Sequence, residues 1–246
     1  AGYLKIILTF GILMKKTILT IIIPAYNEKD SLSFLLKNII KKKLKKQIII
    51  IDDKSNDGTR DIILKHKHNL DKIIFHKKNM GKGAAIKSAQ KFIKGDVVII
   101  QDADLEYDPS DYSKMMNFFK KDKLKVLYGS RVLNKKKFEN YKNFSHSIRI
   151  WGNILLTKFS NLLNNQNLTD AHTCYKMFDA KLFKKIKLKE KGFSFCPEVT
   201  TKISKLRIPI QEIEINYKGR TYDQGKKIKA IDGLYAIMTI LKYKFF

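Results

Sequence analysis

From Thr17 onward the chain alternates short, almost wholly apolar β-branched runs with amphipathic segments of helical period, and few folds accept that rhythm. Strands are expected at Thr17–Ile23, Gln47–Asp52, Lys72–His76, Asp96–Gln101 and Lys125–Tyr128, with helices between them at 30–41, 57–67, 82–93 and 109–121. Strand–helix alternation builds a mainly parallel α/β sheet. Apolar residues along the whole of each strand mean that helices cover both faces. Leu32, Leu35, Leu36, Ile39 and Ile40 fall on one helical face, Asp30 opens that helix, and Asn56-Asp57-Gly58 precedes the next.

After Tyr128 the rhythm breaks. A lysine-rich loop at 134–144 leads into a long helix at 145–163, then a strand at 174–178, a helix at 198–206, a strand at 208–216, a polar loop at 217–229 and a final helix from Ala230. The chain therefore reads as one domain over 14–246, with a nucleotide-type half to about 130 and a half from 131 for a second substrate. Residues 1–13 read as an N-terminal extension. Neither end holds an apolar run long enough to span a bilayer, so a soluble or peripheral protein is expected.

Fifty Lys+Arg against 23 Asp+Glu give a formal charge of +27 over 246 residues, which invites the guess of nucleic-acid binding. Only five of the fifty are arginine, whereas nucleic-acid readers usually use arginine for bidentate contacts. No zinc spacing, aromatic strand motif or recognition-helix pattern supports that class, and no nucleic-acid partner is expected. Lysine in this excess still favours phosphate-bearing substrates and anionic membrane surfaces. Cys174 and Cys196, 22 residues apart, fit neither a disulfide framework nor a zinc site and read as buried thiols.

In an open α/β sheet, ligands bind beyond the carboxyl ends of the strands. Those positions carry Pro24-Ala25-Tyr26-Asn27-Glu28, Asp52-Asp53, Gly81-Lys82-Gly83, Asp102-Ala103-Asp104 with Glu106, and Gly129-Ser130-Arg131. An isolated Asp-x-Asp is more often a solvated loop than a site. Here, however, five successive strand ends carry polar or glycine-rich chemistry. Crowded carboxylates repel unless a cation neutralises them, and Mg²⁺ or Mn²⁺ suits such hard oxygen donors together with substrate phosphates. Gly81-Lys82-Gly83 opens a helix, where amides and the helix dipole favour phosphate, although the Walker spacing is absent.

Taken together, TIIIPAYNE, IIIDDKSNDGT, NMGKGAAI, DADLEYDP and YGSR resemble family 2 glycosyltransferases of the GT-A fold, a Rossmann-like open twisted sheet flanked by helices. TDAHTCYKMF, FSFCPEV and EIEINYKGRTYDQGKKIKAIDG resemble the branch that transfers hexose from a nucleotide sugar to a polyprenyl phosphate, the dolichyl-phosphate mannosyl- and glucosyltransferases and their bacterial relatives. The likeness covers about Thr17 to Tyr243.

That resemblance implies nucleotide-sugar contacts by Pro24, Ala25, Tyr26, Glu28, Asp53, Gly81, Lys82 and Asp102, with Asp53 near the base. It implies a divalent ion, Mg²⁺ or Mn²⁺, on Asp104 and Glu106. Arg131, Arg220, Lys226 and Lys227 would meet the donor diphosphate or the acceptor phosphate, and Asp170 stands where inverting members often put a general base. Cys196, Glu214 and His172 depart from the usual Glu, Pro and Glu or Gln.

The expected reaction is metal-dependent, inverting transfer to a lipid phosphate at the cytoplasmic face of a membrane. A phosphate acceptor is already largely ionised at neutral pH, so Asp170 would orient the site. Transfer to a sugar hydroxyl, the alternative, would need it as a true base. The stripe of Trp151, Leu155, Leu156, Phe159 and Leu162 either meets the membrane or packs on the core, and periodicity leaves both open, as it does for the last helix.

Overall fold

A computed structural model describes residues 17–133, 144–220 and 231–246. The expected extension at 1–13, most of the lysine-rich loop, and Lys226 and Lys227 lie outside the described residues.

Five strands belong to the first half: β1 (Leu19–Ala25), β2 (Lys46–Asp52), β3 (Lys72–Phe75), β4 (Val97–Ile100) and β5 (Val126–Ser130). Between them run α1 (Lys29–Lys41), α2 (Thr59–Lys65), α3 (Lys82–Ala89) and α4 (Asp111–Lys121). The second half adds α5 (Phe144–Asn164), β6 (Lys176–Asp179), α6 (Ala180–Lys185), α7 (Phe195–Lys205), β7 (Gln211–Glu214) and α8 (Ile231–Phe245).

All seven strands join one sheet in the order β3-β2-β1-β4-β6-β5-β7. Six run the same way, and β6 lies antiparallel between β4 and β5. Strands of the two halves thus share one sheet. Ile21–Ile23, Ile48–Ile51 and Val98–Ile100 are buried along their whole length, as strands covered on both faces must be. Burying each such side chain contributes about 1.5–3 kcal/mol.

The start of α1 differs from expectation. Its N-cap is Glu28, whose backbone amide donates to the Thr59 hydroxyl at 2.8 Å; Asp30 sits in the first turn, where the helix dipole favours its charge. Sequence reading missed α6. Six residues are too few to show a helical period, and the one local signal is Asp179, which accepts the Leu182 amide at 2.9 Å as N-cap.

The α3 start is closed by chain from the second half. The Gly83 and Ala84 amides donate to the Gly192 and Lys191 carbonyls at 3.2 and 3.0 Å, and Met80 and Gly81 donate to Asp53 at 2.8 and 2.7 Å. Glu198, wholly buried in α7, fixes the approaching segment by accepting the Lys189 and Glu190 amides. Gly81 has φ +88°, and a Cβ there would stand 2.5 Å from the Lys191 carbonyl oxygen, whereas Gly58 (φ +99°) faces open space. Gly81→Ala is therefore expected to cost about 2–4 kcal/mol, left-handed strain plus the clash, against about 1–2 for Gly58→Ala. Urea midpoints of the two variants compare them directly, and equal losses would remove the clash from the account.

Candidate active site

Because β1, β2, β4 and β5 run parallel, their carboxyl ends share one edge, and a cavity opens there. Its walls include Pro24, Ala25, Tyr26 and Glu28 after β1, Asp53 after β2, Lys82 on α3, Asp102, Asp104 and Glu106 after β4, and Arg131 after β5. Arg220 joins from beyond β7. Eleven of the expected site residues thus converge. Gly81 and Asp170 stand behind the wall.

One side of the cavity is acidic. Burial, then the charges of Asp102 and Glu106, push the Asp104 carboxyl up to about 7, with Arg220 opposing them. Asp104 accepts Arg220 at 3.0 Å and the Glu106 amide at 3.1 Å. Glu106 accepts the Arg220 amide at 2.7 Å and the Tyr217 hydroxyl at 2.9 Å. Among the described residues no three His, Cys, Asp or Glu side chains form a closed metal site. A carboxyl whose charge the fold disfavours gains from a neighbouring cation.

Basic groups are interleaved with these carboxylates. The Lys82 ammonium bonds Asp102 and lies 2.8 Å from the Cys174 sulfur. Arg220 spans Glu28, through two 3.1 Å bonds, and Asp104, yet its Nε is buried with no partner among the described residues. Arg131 lies over the Tyr217 ring at 5.2 Å and grips Asp170 through Nε and Nη2 at 2.6 and 2.7 Å. Asp170 also accepts the Asn153 amide at 3.0 Å and is wholly buried. Though burial opposes ionisation, Arg131 holds that carboxyl well below the usual range. A carboxylate held in this way is a poor proton acceptor.

Two expectations take a different form in three dimensions. The amides of Gly81, Gly83 and Ala84 are spent on Asp53 and on the 191–192 carbonyls, so α3 turns the Lys82 side chain, and not a ring of free amides, towards the cavity. Asp53 accepts His76 Nδ1 at 2.7 Å besides the two amides, so it braces the 80–81 turn as well as lining the cavity. Sequence reasoning missed the aromatic walls Tyr107, Phe193 and Tyr217. Tyr107 stacks on Tyr175 with centroids 5.1 Å apart and bridges to Tyr217, pairings made across the chain and invisible in any local stretch. Both cysteines are free and buried, as expected.

A seven-stranded, mainly parallel sheet flanked by helices, with a charged cavity at the carboxyl edge of its strands, is the architecture of the GT-A glycosyltransferases. The chain belongs to glycosyl transferase family 2, whose model matches residues 20–187. It is 26% identical over 225 residues to a dolichyl-phosphate β-glucosyltransferase of Trichomonas vaginalis, covering 85% of this chain and 67% of that one. Against a UDP-N-acetylglucosamine–dolichyl-phosphate N-acetylglucosaminyltransferase of Methanococcus voltae the identity is 26%, over 94% of this chain and 98% of the relative. The fold matches glucosyl-3-phosphoglycerate synthase of Mycobacterium tuberculosis, solved with Mg²⁺ and UDP, at a TM-score of 0.68 and 13% identity, over 93% of this chain and 79% of that one.

Proposed function

We propose that this glycosyltransferase moves a hexose from a nucleotide sugar to a polyprenyl phosphate, with inversion, at the cytoplasmic surface of a membrane. The observation that carries the reading is one cavity in which crowded carboxylates lie among Lys82, Arg131 and Arg220, the last with a buried Nε that has no partner among the described residues. Asp104 and Glu106 would hold Mg²⁺ or Mn²⁺, which supplies charge neutralisation to the departing nucleoside diphosphate. Asp102, fixed by Lys82, would border the sugar and diphosphate, while Pro24, Ala25, Tyr26 and Glu28 line the donor's end of the cavity. Arg131 and Arg220 offset the repulsion between an anionic acceptor and an anionic donor. Lys226 and Lys227 are proposed for the same phosphate work.

A phosphate acceptor also fits Asp170. A sugar hydroxyl needs a base, whereas a phosphomonoester with a second pKa of about 6 reaches the site already ionised. Asp170, saturated by Arg131 and Asn153, orients that arginine. Incubation with UDP- and GDP-sugars, Mn²⁺ and polyprenyl phosphate is expected to yield a glycosylated lipid phosphate by mass. Transfer only to free saccharides would refute the acceptor assignment.

Membrane attachment rests on α5 and α8. Trp151, Leu155 and Leu162 form one outward stripe, 64–80% exposed, while Thr157, Ser160 and Asn164 of the same helix point inward. On α8, Leu234, Tyr235, Met238 and Phe245 are likewise outward. Among the described residues no helix is long and apolar enough to cross a membrane. Apolar stripes beside lysine suit an anionic surface, with each nearby lysine contributing about 1 kcal/mol. The protein is expected to float with phosphatidylglycerol vesicles at low salt, with a blue shift of its single tryptophan, Trp151. Sedimentation away from the vesicles with unshifted emission would exclude this attachment.

A further inference from the structure

Lys176 opens β6 and is wholly buried, and nothing in the proposed chemistry uses it. Burying an ammonium is costly unless its surroundings compensate, so its contacts are the measure of what it does. There are two. Its Nζ stands 3.4 Å from the centroid of the Tyr128 ring, directly across the β5–β6 pairing, and donates to the Ala171 carbonyl at 2.8 Å. Among the described residues no carboxylate pairs with it. Burial lowers the ammonium to about 8, which leaves it mostly charged at neutral pH.

Both contacts lead to the same pair of residues. Tyr128 lies on the strand that delivers Arg131 to the cavity, and Ala171 follows Asp170, whose carboxylate holds the Arg131 guanidinium by two bonds. One side chain thus ties the strand to the loop that carries its carboxylate. Glu212 accepts the Asp170 amide at 2.9 Å and the Thr157 hydroxyl accepts the Ala171 amide at 3.2 Å, so Lys176 supplies the bond on the carbonyl side of that loop. We infer that Lys176 is a positioning residue: from its seat on the Tyr128 ring it fixes the backbone after Asp170, keeps Asp170 aimed at Arg131, and so sets how tightly the cavity takes the acceptor phosphate. The inference rests on the reading of Arg131 as a phosphate-binding residue.

The test is a double-mutant cycle in initial rates, with Mn²⁺, the preferred nucleotide sugar and a short-chain polyprenyl phosphate, beside calorimetry with the bare nucleoside diphosphate. Lys176→Met keeps the length of the side chain and removes the donor. It is expected to raise the acceptor KM about tenfold, while kcat falls less than about threefold and the diphosphate binds within about twofold of wild type. In the Arg131→Met background, where the group to be aimed is gone, Lys176→Met adds less than about twofold to that KM. Tyr128→Leu removes the ring and leaves the lysine; it raises the same KM about threefold and reads the inference if Lys176→Met fails to fold.

An unchanged acceptor KM in the folded variants would overturn the assignment. So would equal losses in acceptor KM, kcat and diphosphate affinity, because a merely structural role weakens every step together. A full shift repeated in the Arg131→Met background would also overturn it, since Lys176 would then not act through Arg131. If Arg131→Met raised the acceptor KM and Lys176→Met did not, the assignment of Lys176 alone would fall. If Arg131→Met left that KM at its wild-type value, the phosphate role beneath it would fall as well.

Discussion

Asp104→Asn is expected to reduce transfer at least about 1,000-fold, roughly 4 kcal/mol of transition-state stabilisation, while leaving the fold as stable as before or slightly more so. The two halves of this expectation have one cause. Burial and the neighbouring Asp102 and Glu106 raise the Asp104 carboxyl above its ordinary value, to about 7. An acid with a raised folded pKa binds more protons folded than unfolded between those two values, so its ionisation erodes stability as pH rises from about 4 to 7. Asn removes that cost, and Arg220 keeps its two bonds to Glu28. Function therefore loses a charge that stability does not want. Steady-state transfer assays and thermal melts from pH 5 to 8 check both parts: near-wild-type transfer would sink the cation assignment, and a fall of more than about 5 °C in Tm would make Asp104 a structural residue.

The strand-end residues come together for a geometric reason. Parallel strands deliver their carboxyl ends to the same edge, so residues as far apart as Pro24, Asp53, Asp102 and Arg131 become neighbours without any knowledge of side-chain packing. Full burial of β1, β2 and β4 on both faces made those strands equally plain. What stayed hidden depends on pairing across the chain. Nothing local announces that β6 enters antiparallel between β4 and β5, or that the 191–192 carbonyls close the α3 start. Helix α5 illustrates the limit best. Its apolar stripe was visible in the sequence, but the direction it faces was not. Its inward polar face bonds distant residues, with the Asn153 amide donating to Asp170 and the Asn164 amide to Thr201. Once those bonds are in place, Trp151, Leu155 and Leu162 have only the outside left to face.

Arg131→Met should destabilise the protein by about 3–5 kcal/mol, some 10 °C in Tm for a domain of this size. Asp170 is fully buried and Arg131 is one-fifth exposed, so removing the arginine strands an uncompensated carboxylate in the interior. Asp170→Asn should also destabilise, and the double variant should lose less than the sum, because each substitution removes the same interaction. The pH dependence has a definite sign. A folded pKa held below the unfolded value contributes stability that is complete above about pH 4 and is lost as pH falls below it. Arg131→Met should therefore remove the acid limb and, because burial alone raises the Asp170 carboxyl, make stability fall as pH rises from about 4, running parallel to wild type only once Asp170 is fully ionised. If Asp170 only orients Arg131, Asp170→Asn should lower turnover no further than Arg131→Met does, whereas a general base would cost far more than its partner. Both Asp170 oxygens are already committed to Arg131, with one also accepting Asn153, so the comparison of turnover losses, read beside the melting cycle, separates orientation from proton abstraction.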